Sequence, residues 1–279
     1  TKSLMGNIKG GDPATWAPRA GLYPILGSGY TFETFPFRRN TETHENAWWL
    51  GITAETNSFS PLTVAGDFAY GSVKMGEIRG MRALPTVPAR SSWIVRWYAA
   101  VRADYALDWA TPGIIAWYGS GDDGNPYNGS ERLPTINPDV KVTSYGFDGT
   151  NYGGAAQTMG YGISGTWAVM ARVKDISFME DLSHVLRVVY YQGTNNKEMV
   201  RSKMISNPQD SVASMMYLTT GDKAVEVNFD TEYKLYKNLS LFVELGYIRL
   251  DLDKDLWKGV GYEAKENNLK GTFSIIYKF

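Results

Sequence analysis

The chain contains no cysteine, which excludes a disulfide framework, a thiolate metal site and a cysteine nucleophile. It has two histidines, His44 and His184, so imidazole-driven proton transfer has only two places to occur. An excess of one charge is missing as well. Lys plus Arg number 28 against 29 Asp plus Glu, without the basic surplus that neutralises nucleic-acid phosphates. No apolar run approaches the ~18 residues of a membrane helix, the longest being about Gly113 to Gly119. That excludes helical spans but leaves closed barrels open, because their strands alternate and score as polar overall. What the 279 residues do contain is 29 Gly, 18 Tyr and 9 Trp, with length enough to bury a sizeable core.

The strongest pattern present is alternation with a period of two. Between 224 and 235 one face reads Val225, Val227, Phe229, Thr231, Tyr233, Leu235 and the other Ala224, Glu226, Asn228, Asp230, Glu232, Lys234. A tight turn at Lys237 and Asn238 leads into a second alternating run, 239–248, and the end of the chain repeats the design. The same reading predicts strands near 46–56, 61–73, 92–107, 112–121, 160–177 and 182–193, nine in all. Short links near 57–60, 108–112, 179–182 and 237–238 alternate with long ones near 74–91, 122–159, 194–222 and 252–267. The expected fold is therefore all-β: a transmembrane antiparallel β-barrel with short periplasmic turns and long extracellular loops. A soluble sandwich or lipocalin-type barrel shares the alternation, but has less use for the aromatics that recur at strand ends. Trp48, Trp93, Trp117, Tyr161, Tyr190, Tyr233 and Tyr277 are predicted to form a girdle at the membrane interface.

Both outer strands, 46–56 and the last, run towards the short-turn side, so at least one further strand is expected. The chain is read either as a barrel of at least ten strands or as the C-terminal part of one with roughly sixteen. Residues 1–45, with Gly10, Gly11, Pro13, Pro18, Pro24 and Gly27, read as a long loop or an incomplete N-terminal part. Residues 46–279 are expected to hold the strands.

The C-terminus carries Phe273, Ile275, Tyr277 and Phe279 at steps of two. This run resembles the signal that the barrel-assembly machinery reads on bacterial outer-membrane proteins. The stretches 114–124 (Ile114, Trp117, Tyr118, Gly119, Asp122, Asp123), 177–184 (Ser177, Phe178, Glu180, His184) and 193–196 (Gly193, Thr194, Asn195, Asn196) resemble the outer-membrane homotrimeric porins of sulfate-reducing, Desulfovibrio-type bacteria. The resemblance implies passive diffusion of small hydrophilic solutes and ions through a charged, water-filled lumen. It also implies contact with outer-membrane lipid and lipopolysaccharide, a homotrimer, and no cofactor.

In such a lumen the charged faces of the strands set the field a solute crosses. Arg96, Arg102, Arg172 and Arg187 are predicted to form a basic stripe, with Asp104 among them, and Glu226, Asp230 and Glu244 an acidic one farther round. Local pairing across strands is the competing arrangement. The segment 122–159 is the expected inward-folded loop, with 1–45 as the alternative. Ala99, Ala103, Gly113, Gly165 and Ala171 are expected on the lipid side, as small residues suited to a neighbouring protomer. Asp122, Asp123 and Asn125 could ligate calcium, although oxygen-rich loops mostly face water. An outer-membrane phospholipase or protease would need His44 or His184 beside a nucleophile or a carboxylate. His44 has Glu42 and Glu45 beside it, whereas His184 is predicted to face lipid next to a periplasmic turn. A surface adhesin is a third class.

Overall fold

The computed structural model describes residues 38–39, 47–79, 90–124, 129–133, 142–147, 163–201, 218–257 and 265–278. Nine long strands form one antiparallel sheet in chain order: β2 (Ala47–Phe59), β3 (Leu62–Arg79), β4 (Arg90–Tyr105), β5 (Thr111–Gly119), β7 (Thr166–Ile176), β8 (Leu182–Gly193), β9 (Lys223–Tyr236), β10 (Leu239–Asp251) and β11 (Lys265–Tyr277). Two short pieces join it. β1 (Arg38–Arg39) pairs with the far end of β3, and β6 (Gly129–Ser130) pairs parallel with β4. Two single-turn helices, α1 (Glu198–Arg201) and α2 (Lys254–Trp257), sit in the long connections. All nine strands expected from alternation are present, but the one expected over 160–177 begins only at Thr166 and the one over 112–121 ends at Gly119. Of residues 1–45, only Arg38 and Arg39 are described, and they are paired in the sheet.

Neighbouring strands are joined by tight links at 60–61 and 237–238 and by five-residue links at 106–110 and 177–181. These all lie at one end of the sheet, and the long connections lie at the other. Among the described residues the sheet is open, with β2 bonded only to β3 and β11 only to β10. Both edge strands run towards the short-turn end, so antiparallel closure would take an odd number of further strands between them.

Alternation divides the sheet into a bare face and a covered face. Leu50, Ile52, Val101, Ile114, Val169, Val188, Val225, Leu245, Phe273 and Ile275 stand exposed on the bare one. Rings gather above and below this aliphatic band. Towards the long loops, Trp97 stacks on Tyr118 with centroids 5.0 Å apart, while Trp48 meets Tyr70 and Trp167 meets Tyr190, each at 5.4 Å. Towards the short turns, Phe59, Tyr105, Trp109, Phe178, Tyr236 and Tyr277 are exposed.

The covered face carries the core, which is confined to its long-loop half. Trp117, Ala168, Met170, Val189, Tyr191, Ala224, Ile248 and Leu250 point inward from β5 to β10, and Tyr145, Phe147, Val200, Leu218, Leu252 and Trp257 close over them from the connections. Here the strands lose their polar alternate positions. Runs such as Val188-Val189-Tyr190-Tyr191 are apolar on both sides: Val189 and Tyr191 are buried under the cap, while Val188 stands exposed on the bare face.

Three expectations about facing are corrected. Trp117 is buried on the covered face, where its Nε1 donates to Thr166 Oγ1 at 3.1 Å and its ring meets Phe147 edge-on. It belongs to no exposed girdle, and Tyr118 takes that place. Gly113 also faces the covered side, against Asp104. Gly165 is buried with φ +78° between Arg132 and Asn195, a conformation and a space that suit only glycine. Ala99, Ala103 and Ala171 do share the bare face with Phe68, Val64 and Val188, their register partners. Trp48, Tyr190, Tyr233 and Tyr277 also alternate onto the bare face, whereas the side chains of Trp93, Tyr161 and Phe279 lie outside the described residues.

Candidate functional site

One register line crosses the covered face and carries most of its polar chemistry. It runs Thr63, Asp104, Gly113, Arg172, Arg187, Asn228, Gly246, Lys270 from β3 to β11. Arg172 and Arg187 lie directly opposite one another, a like-charge pairing that is unfavourable unless each has a carboxylate. Each has one. Arg172 Nη2 donates to both Asp104 oxygens at 2.8 and 3.0 Å, and Arg187 pairs with Asp230. Asp104 is two strands from Arg172, and the bridge passes over the intervening Gly113, where a Cβ would stand 2.1 Å from Asp104 Oδ1. Arg102 also reaches Asp104, at 3.2 Å, and pairs with Glu55 on β2. On the far side Lys270 lies 4.0 Å from Glu244 and donates to Ser144 O at 2.8 Å.

The two opposed stripes expected from the sequence are therefore replaced by pairs between near strands. Arg172, Arg187, Asp230 and Glu244 stand on the expected face, but each is less than a fifth exposed. Asp104 is buried. Glu226 is 0% exposed, so it lines no water-filled space. Its carboxylate accepts from Gly146 N at 3.1 Å, from Asn228 Nδ2 at 2.8 Å and from the Tyr191 hydroxyl at 3.4 Å. Arg96 and Arg102 are the exceptions, at 42% and 36% exposed.

Glu226 thus holds part of the segment predicted to fold inward. Residues 142–147 lie on the covered face, with Ser144 N donating to Asn228 Oδ1 and Phe147 in edge contact with Tyr191 at 4.9 Å. The Tyr145 side chain occupies the space over Gly246, where a Cβ would come within 2.9 Å of the Tyr145 Cβ and 3.2 Å of its ring. Burial, and after it the Glu226 carboxylate, push the Tyr145 phenol above its ordinary range.

The other long connections are bolted to the same cap. Asn195, fully buried, accepts from Asp122 N and donates to Leu218 O at 2.6 Å. Asp222, also fully buried, takes hydrogen bonds from Thr219 N, Thr219 Oγ1, Asp253 N and Trp257 Nε1. Four donors to one carboxylate offset its desolvation without a cation. At the rim, Lys197 lies 2.6 Å from Asp253 and holds its carboxyl below the usual range. Asp122 is buried, and its Oδ1 accepts from Glu131 N at 2.9 Å. Asn125 lies outside the described residues, among which no group of three acidic or imidazole side chains is placed to hold a metal ion. Burial, more than any charge, pushes the Glu131 carboxyl up, although Arg96 lies 3.8 Å away.

No protein-family model and no curated protein matches this chain. His44 lies outside the described residues. His184 alternates onto the bare face, where its Nδ1 meets Thr231 Oγ1 at 2.8 Å and its ring stacks on Phe229. Local pairing of charges was the competing arrangement in the sequence, but the cap core and the bridge from Asp104 to Arg172 over Gly113 were not anticipated. Their signals were apolar residues on both faces of strand ends and glycines set between charges in register.

Proposed function

We propose that the chain is an outer-membrane porin, a passive route for small hydrophilic solutes and ions, with the covered face towards a water-filled lumen and the bare face towards lipid. The observation that carries this reading is the aliphatic band between two tiers of rings. Trp97 and Tyr105 stand eight residues apart on β4, about 27 Å along the strand. At the ~40° tilt usual in barrels this is about 20 Å along the axis, close to the ~25 Å apolar band of outer-membrane proteins. A soluble protein rarely leaves so large an apolar surface bare. Strand links that are short at one end and long at the other fit the same assignment, with the cap outside the cell.

In this reading the segment containing 142–147 narrows the passage. Phe273, Ile275 and Tyr277, exposed in register on β11, carry the assembly signal. Ala99, Ala103 and Ala171 offer low relief for the neighbouring protomers of a homotrimer. Planar-bilayer recording of the purified protein tests the proposal. Steady, ohmic single-channel conductance is the expected result, and a folded barrel that carries no current would overturn it.

A further inference from the structure

We infer that, among the described strands, solutes pass along one wall of the lumen, the wall built by β2 and β3 with the exposed arginines of β4. This deepens the porin reading and rests on it. Three observations lead there. First, the covered face is sealed at its long-loop half, where Phe147, Tyr145 and Trp257 pack on Trp117, Tyr191 and Ile248, and Tyr98 and Ala100 of β4 flank that cluster at its edge. Water-lined passage does not cross such a contact, because the packing leaves no space for a hydrated ion. Second, the polar half of that wall is occupied with itself. Arg172, Arg187, Asp230 and Glu244 are at most 17% exposed and held in ion pairs. Third, charge meets solvent on the other wall, where Glu55 is 58% exposed and Arg96 and Arg102 follow it. Thr53 donates to Asp67 there, on an exposed stretch of β2 and β3. Both signs are represented, so this wall presents a mixed field to a passing ion.

It follows that Glu55, Asp67, Arg96 and Arg102 set ion preference, while the buried charges of β7 to β11 hold the wall and cap in place. Glu131, 3.8 Å from Arg96, stands where the cap meets the open wall.

The absence of native cysteine makes the test clean. Single cysteines are placed on the open wall (Thr53→Cys, Ala65→Cys) and under the cap (Val189→Cys, Ala224→Cys). A charged methanethiosulfonate is then applied to the folded protein in liposomes, with modification read as a mass shift and conductance recorded in parallel. The thiols at 53 and 65 should react and lower the current. Those at 189 and 224 should react at least about tenfold more slowly, the protection that local opening imposes on buried groups. Equal reaction at all four positions with normal conductance would overturn the one-sided path and leave the porin reading standing. Reaction only at 53 and 65 in a barrel without current would uphold the accessible wall while overturning the porin reading. Silent thiols at 53 and 65 with normal conductance would overturn the path. Circular dichroism and retarded unheated gel mobility identify variants that have folded. If Val189→Cys does not fold, Ala224→Cys, a smaller change, carries the comparison.

Discussion

At the scale of single residues, two glycines do what no side chain could in the same places. Gly113 lets Asp104 reach Arg172 over the strand between them, and Gly246 gives room to the Tyr145 ring. Valine at 113 would occupy the path of the bridge and leave the mostly buried Arg172 without its carboxylate, a change expected to cost about 3–5 kcal/mol. A lowered urea midpoint for unfolding from liposomes would register that loss, and an unchanged midpoint would show that the bridge contributes little. Asp253 makes a different prediction. Its carboxyl is held below the ordinary value of 3.8, with the Lys197 hydrogen bond as the largest cause. A depressed pKa means that its stabilisation is fully present above that ordinary value and is lost as pH falls through the folded pKa. Protease resistance of the cap should therefore persist at neutral pH and weaken only below the usual Asp range. Asp253→Asn should flatten that acid limb, and an acid limb of unchanged steepness in the variant would mean another group is responsible.

Among the elements, β5 shows how far alternation can be read. The run from Gly113 to Gly119 is apolar or small at every position, so hydrophobicity fits either facing equally well. The choice fell to partners that lie far away in the chain: Phe147 beside Trp117, and Asp104 beside Gly113. β4 is the opposite case. Its Trp97, Val101 and Tyr105 alternate with Arg96, Arg102 and Asp104, and the structure keeps that division. Val101, 60% exposed in the middle of the bare band, also tests the lipid-facing assignment. Arginine there should cost about 2–4 kcal/mol at the bilayer midplane, against about 0–1 near the interface. A soluble protein would absorb the same exposed substitution within about 0.5 kcal/mol. Equilibrium folding of Val101→Arg into liposomes, compared with Leu107→Arg near the short turns, measures the difference. Equal, small losses at both positions would count against the bilayer.

For the whole molecule, the direction of the edge strands governs closure. β2 and β11 both descend to the short-turn end, so bringing them together would pair them in parallel within an otherwise antiparallel sheet. With at least one strand between them, the edges would be separated by two spacings of about 4.8 Å or more, beyond the reach of a disulfide. Cysteines at Ile52 and Ile275, on the bare face of the two edges, should therefore fail to form an intramolecular bond under mild oxidation in the folded protein. Efficient bonding would mean that the sheet closes directly on itself.

The sequence by itself determined the strands, their order, the two kinds of connection and the facing of each strand whose faces differ in polarity. Local chemistry suffices for these, because a one-residue slip exchanges an entire apolar set for a polar one. Tertiary structure alone decided the facing of β5, the packing of 142–147 over Glu226 and Gly246, and which charges are buried. Those outcomes depend on residues that meet across tens of positions in the chain, as Gly146 and Glu226 do at a separation of 80. A charged residue on a polar face reads the same in sequence whether water or a partner lies opposite. For Arg187 it is Asp230, 43 residues away, and for Glu226 it is the backbone of a folded-in loop.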